Sequence, residues 1–410
     1  TNALELGVDI GSLQAVVING YPGTIASLWQ QIGRAGRKHE LAAAVLVGNS
    51  SPLNQYIITH PEFVLGQGAE RALIDPDNMY ILLSHLKCAA FELPFQAGEL
   101  FGGKDVAEYL SFLVDEGILR FVEGRYYWMS EVYPANDISL RSASSDNFVI
   151  IDTTDGASSV IGEVDRFSAP MLIHEGAIYM HEGRQYHVDQ LDWERQKAYA
   201  RRVKVDYYTD ANLDVDLKVL SVSESLQPGT KPAAQSWGEV LVSAKTHLYK
   251  KIRFYTHENI GWGPISLPEQ EMHTTAFWFA QKLDLEPSVP SEVVQNALNG
   301  VAHLLLNTAP LELMCEPGDL GVVAQVKSPF TKLPTIYIYE KYPGGVGYAK
   351  QLFDLSRLVL ERAYQLLQGC PCEAGCPSCI GPQVDIDQEA KQYARLFLEE
   401  ALKHGTEPEA

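Results

Sequence analysis

Two groups of residues in this sequence have types and spacings that chemistry could use. The first is QQIGRAGRK, Gln30 to Lys38, where Arg34 and Arg37 stand three apart beside Gly33 and Gly36. A guanidinium is a permanent cation whose planar fork fits phosphate oxygens, and flanking glycines allow close backbone approach. No phosphate loop accompanies these arginines. Gly103-Lys104 is followed by Asp105, and YPGGVG (342–347) fits neither GxxxxGK[ST] nor GxGxxG. YPGGVG therefore reads as a tight structural turn. The second group is CPCEAGCPSC, which places Cys370, Cys372, Cys376 and Cys379 within ten residues, four of the chain's six cysteines. Cys88 and Cys315 stand alone and read as small buried side chains.

Clustered thiols in a cytosolic type of protein point to metal before disulfide. Four thiolates satisfy tetrahedral zinc, and the intervals Cys372-x3-Cys376 and Cys376-x2-Cys379 lie in the usual range. Cys370-Pro-Cys372 is tighter, and Gly375 with the two prolines helps the loop fold back. With no histidine or acid completing an open site, structural zinc is the expectation. An iron–sulfur cluster and a redox dithiol stay as alternatives. The repeated His-Glu-Gly at 174 and 181 lacks HExxH spacing, so Gly176 and Gly183 read as hairpin turns and the histidines as strand ends.

The elements that must position these groups fall into four regions. Residues 1–66 read as α/β, with LQAVVINGY and AAAVLVGNS as strands around the arginine segment. Residues 67–135 read as a winged helix. YILLSHLKCAAFELP is a helix stopped by Pro94, and Val106, Leu110 and Leu113 mark a second one ending at Gly117. ILRFVEGRYYWM then makes a hairpin around Glu123-Gly124. Residues 136–285 are strand-rich and suggest a small barrel or sandwich. In residues 286–410, Val294, Leu298, Val301 and Leu305 share a helical face and PTIYIYE is a strand. YAKQLFDLSRLVLERAYQLLQ reads as one long helix, and a last helix runs from about Gln388 to Lys403. The fold class is thus multidomain, α/β and α+β.

The net charge of −20 excludes a surface attractive to nucleic acid everywhere, but not a local basic channel. RQKAYARRVK (Arg195–Lys204) and KTHLYKKIR (Lys245–Arg253) are the basic stretches. They supply Arg201, Arg202, Lys250 and Lys251 for phosphates, with Tyr207, Tyr208, Phe254 and Trp262 available to stack bases. No apolar run approaches the ~20 residues that cross a bilayer, so no membrane partner and a cytoplasmic location are expected. The chain starts at Thr1 without methionine, inside what reads as a strand end, and is expected to be part of something longer.

Taken as one unit, TNALELGVD followed by Gln-Gln-Ile-Gly-Arg-Ala-Gly-Arg resembles the fifth and sixth motifs of superfamily-two helicases, in order and at sensible spacing. Together with ALIDPDNMYILLSHLKCAAFELPF, LPEQEMHTTAFW and the cysteine cluster, it resembles the YprA/MrfA-type family of bacterial DEAD/DEAH DNA helicases, across the whole chain. The resemblance implies part of a second RecA-like lobe, a winged helix, a barrel-like region and a four-cysteine zinc domain. It implies an ATP-dependent 3′→5′ helicase on single-stranded or forked DNA that serves repair of mitomycin-type adducts or crosslinks. Arg34 and Arg37 would then be fingers on a nucleotide, with Mg²⁺, held by an absent first lobe. Gln30 and Gly33 would adjoin that nucleotide, Gly7 and Asp9 would line the cleft, and Thr1 would touch a DNA phosphate. The chain alone would lack ATPase activity. A non-enzymatic zinc-stabilised scaffold in a repair or defence complex, or an RNA helicase, are the competing readings.

Overall fold

The computed structural model describes residues 13–36, 41–66, 68–70, 75, 78–138, 147–154, 156, 158–226, 234–282, 289–381 and 389–403. The chain divides into two compact units. One gathers Thr1–Ile74, Lys218–Leu241 and Thr274–Ala410; the other holds Asp75–Leu217 and Val242–His273.

The first unit opens with strands Ala15–Asn19 and Ala43–Val47, short β-branched runs that pair in parallel from Ala15↔Ala43 to Asn19↔Val47. Parallel neighbours need a crossover, and α1 (Ile25–Ile32) is part of it. Thr24 caps α1 by accepting from the Ser27 amide at 3.1 Å. α2 (Pro52–Thr59) starts with proline in its first turn behind the Ser51 cap, and α3 (Pro61–Gly66) follows. Ile18, Ile25, Leu28, Leu53, Ile57, Phe63 and Val64 form the core under these elements.

In the second unit, Asn78 caps α4 (Met79–Glu92), which stops before Pro94 as expected. α5 (Ala107–Asp115) follows, with Val106, Leu110 and Leu113 wholly buried. Strands Leu119–Val122 and Arg125–Trp128 make the wing, and Glu123 and Gly124 at φ 48° and 78° suit its two-residue turn. Beyond it lies a five-stranded sheet in the order Ile178–His181, Arg184–Asp192, Lys197–Val203, Asn147–Asp152, Ser159–Asp165. Its core of Phe148, Ile150, Val188, Ala198 and Ala200 also packs against α6 (Ala169–Leu172) through Ala169. Gly183 is a hairpin turn and His181 a strand end, as read. Gly176 instead turns the chain from α6 into a strand, and His174 is fully buried beside it. A β-carbon on Gly176 would meet the Tyr249 hydroxyl at 2.4 Å.

Three long strands, Tyr207–Val219, Ala234–Arg253 and Gln270–Ala280, run from one unit into the other and complete the β-rich, barrel-like region. In the first unit the sheet continues through Thr335–Glu340 to Leu320–Gln325. α7 (Ser291–Leu313) buries Val294, Leu298, Val301 and Leu305 on the expected face. The long helix read after YPGGVG is two helices, α8 (Tyr348–Asp354) and α9 (Ser356–Gly369), broken at Leu355. The break coincides with a tertiary bond: the Ser356 hydroxyl donates to Gln235 at 2.7 Å. α10 (Ala390–Lys403) closes the described chain.

Candidate metal centre and arginine edge

The cysteines lie between α9 and α10. Gly375, at φ 125°, takes a backbone that other residues resist, and a β-carbon there would meet the Ile380 side chain at 2.0 Å. The loop therefore folds back and brings all four sulfurs within 4.8 Å of one another. Individual separations are 3.5 Å for Cys370–Cys372, 3.4 Å for Cys370–Cys376 and Cys372–Cys379, and 3.7 Å for Cys376–Cys379. A tetrahedral Zn–S₄ centre with bonds of ~2.3 Å has sulfurs ~3.8 Å apart, so these thiols fit zinc with little movement.

The electrostatics fit as well. Burial pushes the Cys370 and Cys379 thiols up. Burial acts in the same sense on Cys372, but hydrogen bonds with Cys379, Cys370 and Lys391 outweigh it and bring that thiol down to about 7. Lys391, in the first turn of α10, donates to the Cys372 sulfur at 3.3 Å and to the Cys370 carbonyl at 2.8 Å, and also to the Cys372 carbonyl. Four thiolates around a dication leave net negative charge, which an ammonium so placed offsets. The metal would thus join the end of α9 to the start of α10.

YPGGVG sits on an internal carboxylate. Glu340 is fully buried and accepts from the Val346 and Ala349 amides at 2.6 and 2.8 Å and from the Thr275 hydroxyl at 2.7 Å. Amides that a phosphate would need are thus bonded to the protein's own anion. The loop is a structural turn.

Of the residues expected at the nucleotide, Gly7, Asp9 and Arg37 lie outside the described residues, as does Thr1, expected on a DNA phosphate. Gln30 and Gly33 are exposed on α1 and at its C-cap, and Arg34 follows directly, half-buried, its amide donating to the Gln31 carbonyl at 3.2 Å. The Gly36 amide donates to the Leu13 carbonyl at 2.8 Å, and Leu13 pairs in parallel with Ala35. The end of α1 is thereby stitched alongside the first strand, and Gln30, Gly33 and Arg34 are brought together at that edge.

The basic residues divide into two kinds. Arg201 is paired with Asp189 at 3.0 Å, which also bonds His187 at 2.9 Å. Burial alone would push the Asp189 carboxyl up, but its bonds to Arg201 and His187 hold it below the usual range. Lys251 stands 5.6 Å over the Tyr207 ring. Arg202 and Lys250 are exposed and carry no ion pair among the described residues, and Lys250 lies directly across the ladder from Trp262, which is 71% exposed.

Three family descriptions match in chain order: a helicase conserved C-terminal domain over residues 1–39, the winged helix domain of ATP-dependent helicase HRQ1 over 74–143, and the MrfA Zn-binding domain over 301–380. The ATP-dependent helicase YprA of Bacillus subtilis is 48% identical over 398 residues, covering 97% of this chain and 53% of YprA. A crystal structure of the DUF1998 helicase MrfA bound to DNA matches at 47% identity and TM-score 0.64, covering 98% of this chain and 53% of that one. The chain belongs to the YprA/MrfA-type helicase family. A second MrfA structure, bound to DNA and AMPPNP, matches at TM-score 0.61 with 46% identity, over 97% of this chain and 52% of that one.

The chain spans about half the length of these relatives. Within the family frame the cysteine loop falls inside the zinc-binding match, and the end of α1 falls inside the helicase C-terminal match. Sequence reasoning missed Lys391, twelve residues beyond the last cysteine behind no motif, and Asp189, which occupies Arg201. Neither spacing nor periodicity carries such a signal, because both partners arrive through tertiary folding.

Proposed function

We propose that this chain forms the C-terminal part of an ATP-dependent 3′→5′ DNA helicase acting in repair of mitomycin-type adducts or crosslinks. Arg34 and Arg37 serve as cations on a nucleotide held by a first RecA-like lobe, in the part of the relatives that this chain does not span. The observation that carries the reading is the arginine edge: a βαβ unit whose helix ends in Gly33-Arg34, stitched to the first strand by the Leu13–Ala35 bridge. Two parallel strands make a poor sheet alone, and here they leave Val17 68%, Val45 51% and Val47 46% exposed. Such a face suits a larger lobe that would cover it.

Arg34, arriving from the second lobe, would stabilise charge as the phosphoryl group leaves, an effect worth about 10³–10⁵ in rate in related enzymes. Gln30 and Gly33 would adjoin the same nucleotide, with Gly7 and Asp9 lining the cleft and Thr1 on a DNA phosphate. Magnesium, when bound, would neutralise phosphate charge in the first lobe. Cys370, Cys372, Cys376 and Cys379 would hold structural zinc. Arg202, Lys250 and Lys251 would meet backbone phosphates, with Arg201 contributing less because Asp189 already engages it. The MrfA structures bound to DNA support DNA as substrate, whereas the polarity and the lesion class are what the sequence resemblance implies.

The test is Arg34→Ala in the full-length protein. DNA-stimulated ATP hydrolysis should fall at least about a hundredfold while DNA affinity stays within about threefold. Unchanged turnover would refute the finger assignment and favour a zinc-braced scaffold. Matched 3′-tailed and 5′-tailed duplexes of DNA and RNA test polarity and substrate in the same assay.

A further inference from the structure

α1 is only eight residues long, so beyond the packing of Ile25 and Leu28 its direction depends on what holds its ends. The C-terminal end is stitched to Leu13. At the other end Thr24 satisfies the Ser27 amide, as a local cap does. The remaining first-turn amides are met from far along the chain. Glu70 accepts from the Ala26 amide through Oε2 at 2.9 Å and from the Ile25 amide through Oε1. The first turn of α1 contains no acid of its own, so Glu70 is the carboxylate answering the positive end of this helix. It also lies close to Tyr21, whose hydroxyl is pushed up by burial and then by the Glu70 charge.

Nothing in the local capping of α1 requires a group 45 residues away. Glu70 stands in the segment leading to Asp75, where the second unit begins. Glu70 itself therefore fastens the chain beyond α3 to the helix that presents Arg34.

We propose that Glu70 is a positioning residue for Arg34, fixing the direction of α1 through its first turn. This rests on the arginine-edge reading above. A displacement of about 1 Å at a reacting group can cost about 10²-fold in rate, so loss of one of two end restraints should be visible in turnover.

The experiment compares Glu70→Ala, Glu70→Gln and Arg34→Ala in the full-length helicase, measuring DNA-stimulated ATPase kinetics and melting temperature. Glu70→Ala should lower kcat about tenfold with KM for ATP changed less than about twofold, because the arginine acts on the transition state. Glu70→Gln keeps an acceptor oxygen and should recover to within about threefold of the parent. A kcat per folded molecule that is unchanged in Glu70→Ala, with only the melting temperature lowered, overturns the proposal. If Glu70→Ala does not fold, Glu70→Met, which keeps the bulk and removes both acceptor oxygens, decides: kcat lowered at constant KM supports the proposal, and kcat equal to the parent overturns it. Arg34→Ala separates the two levels: if it leaves turnover intact, the arginine-edge reading itself has failed; if it abolishes turnover while Glu70→Ala keeps the parent kcat, only the present inference has.

Discussion

Among the cysteines, chemical identity is the same and environment is not. Hydrogen bonds with Cys379, Cys370 and Lys391 bring Cys372 down to about 7, whereas burial pushes Cys370 and Cys379 up. The thiolate is the reactive form, so the metal-free protein should show a ranked reactivity. After chelation, iodoacetamide at pH 7.5 should label Cys372 ahead of Cys370 and Cys379, read by mass spectrometry of the digested loop. Between pH 7 and pH 6 that labelling should slow about fivefold as the thiol protonates. In the zinc-loaded protein all three should be protected. Equal labelling of the three thiols without metal would show that these hydrogen bonds do not set the order.

At the scale of elements, α2, α7 and α9 meet at one buried charge pair. Arg362 on α9 pairs with Glu312 on α7, donates to the Tyr56 hydroxyl on α2, and lies 5.3 Å over the Tyr56 ring. The two side chains are 22% and 12% exposed, so removing one leaves the other poorly solvated. Arg362→Ala should destabilise the protein by about 3–5 kcal/mol, the range for a broken buried pair. Arg362→Met combined with Glu312→Gln should recover most of that loss. Denaturant unfolding checks both, and a single variant within about 1 kcal/mol of the parent would show the pair to be dispensable. This junction marks the limit of what the sequence displays. α7 was legible because Val294, Leu298, Val301 and Leu305 repeat at helical spacing, and the wing because Glu123-Gly124 is a strong turn pair. The four cysteines and the arginine motif were legible because their chemistry is local. The break at Leu355 was not, since the bond from Ser356 to Gln235 spans 121 residues. Nor was the joining of α2 to α7 and α9, because periodicity reports which face is buried and not against what.

For the chain as a whole, a net charge of −20 means that the proposed affinity for DNA would come from few cations in a repelling background. The structure narrows them. Arg253 is engaged by Asp206 at 3.4 Å and Glu258 at 3.2 Å, and Arg201 by Asp189. A phosphate approaching either arginine competes with carboxylates already in place. Arg202 and Lys250 face no such competition among the described residues, and Trp262 beside Lys250 offers a stacking surface. Each phosphate contact that releases a counterion contributes about 0.7–0.9 to the slope of log affinity against log salt. Lys250→Ala and Arg202→Ala in the full-length helicase should each reduce that slope by about that amount, measured with a fluorescent tailed DNA between 50 and 200 mM salt. Arg201→Ala should change it much less, because the protein's own carboxylate holds that charge whether or not DNA is present. Equal losses from all three would mean that the Asp189 pair opens on binding, and that basic residues here contribute by number rather than by availability.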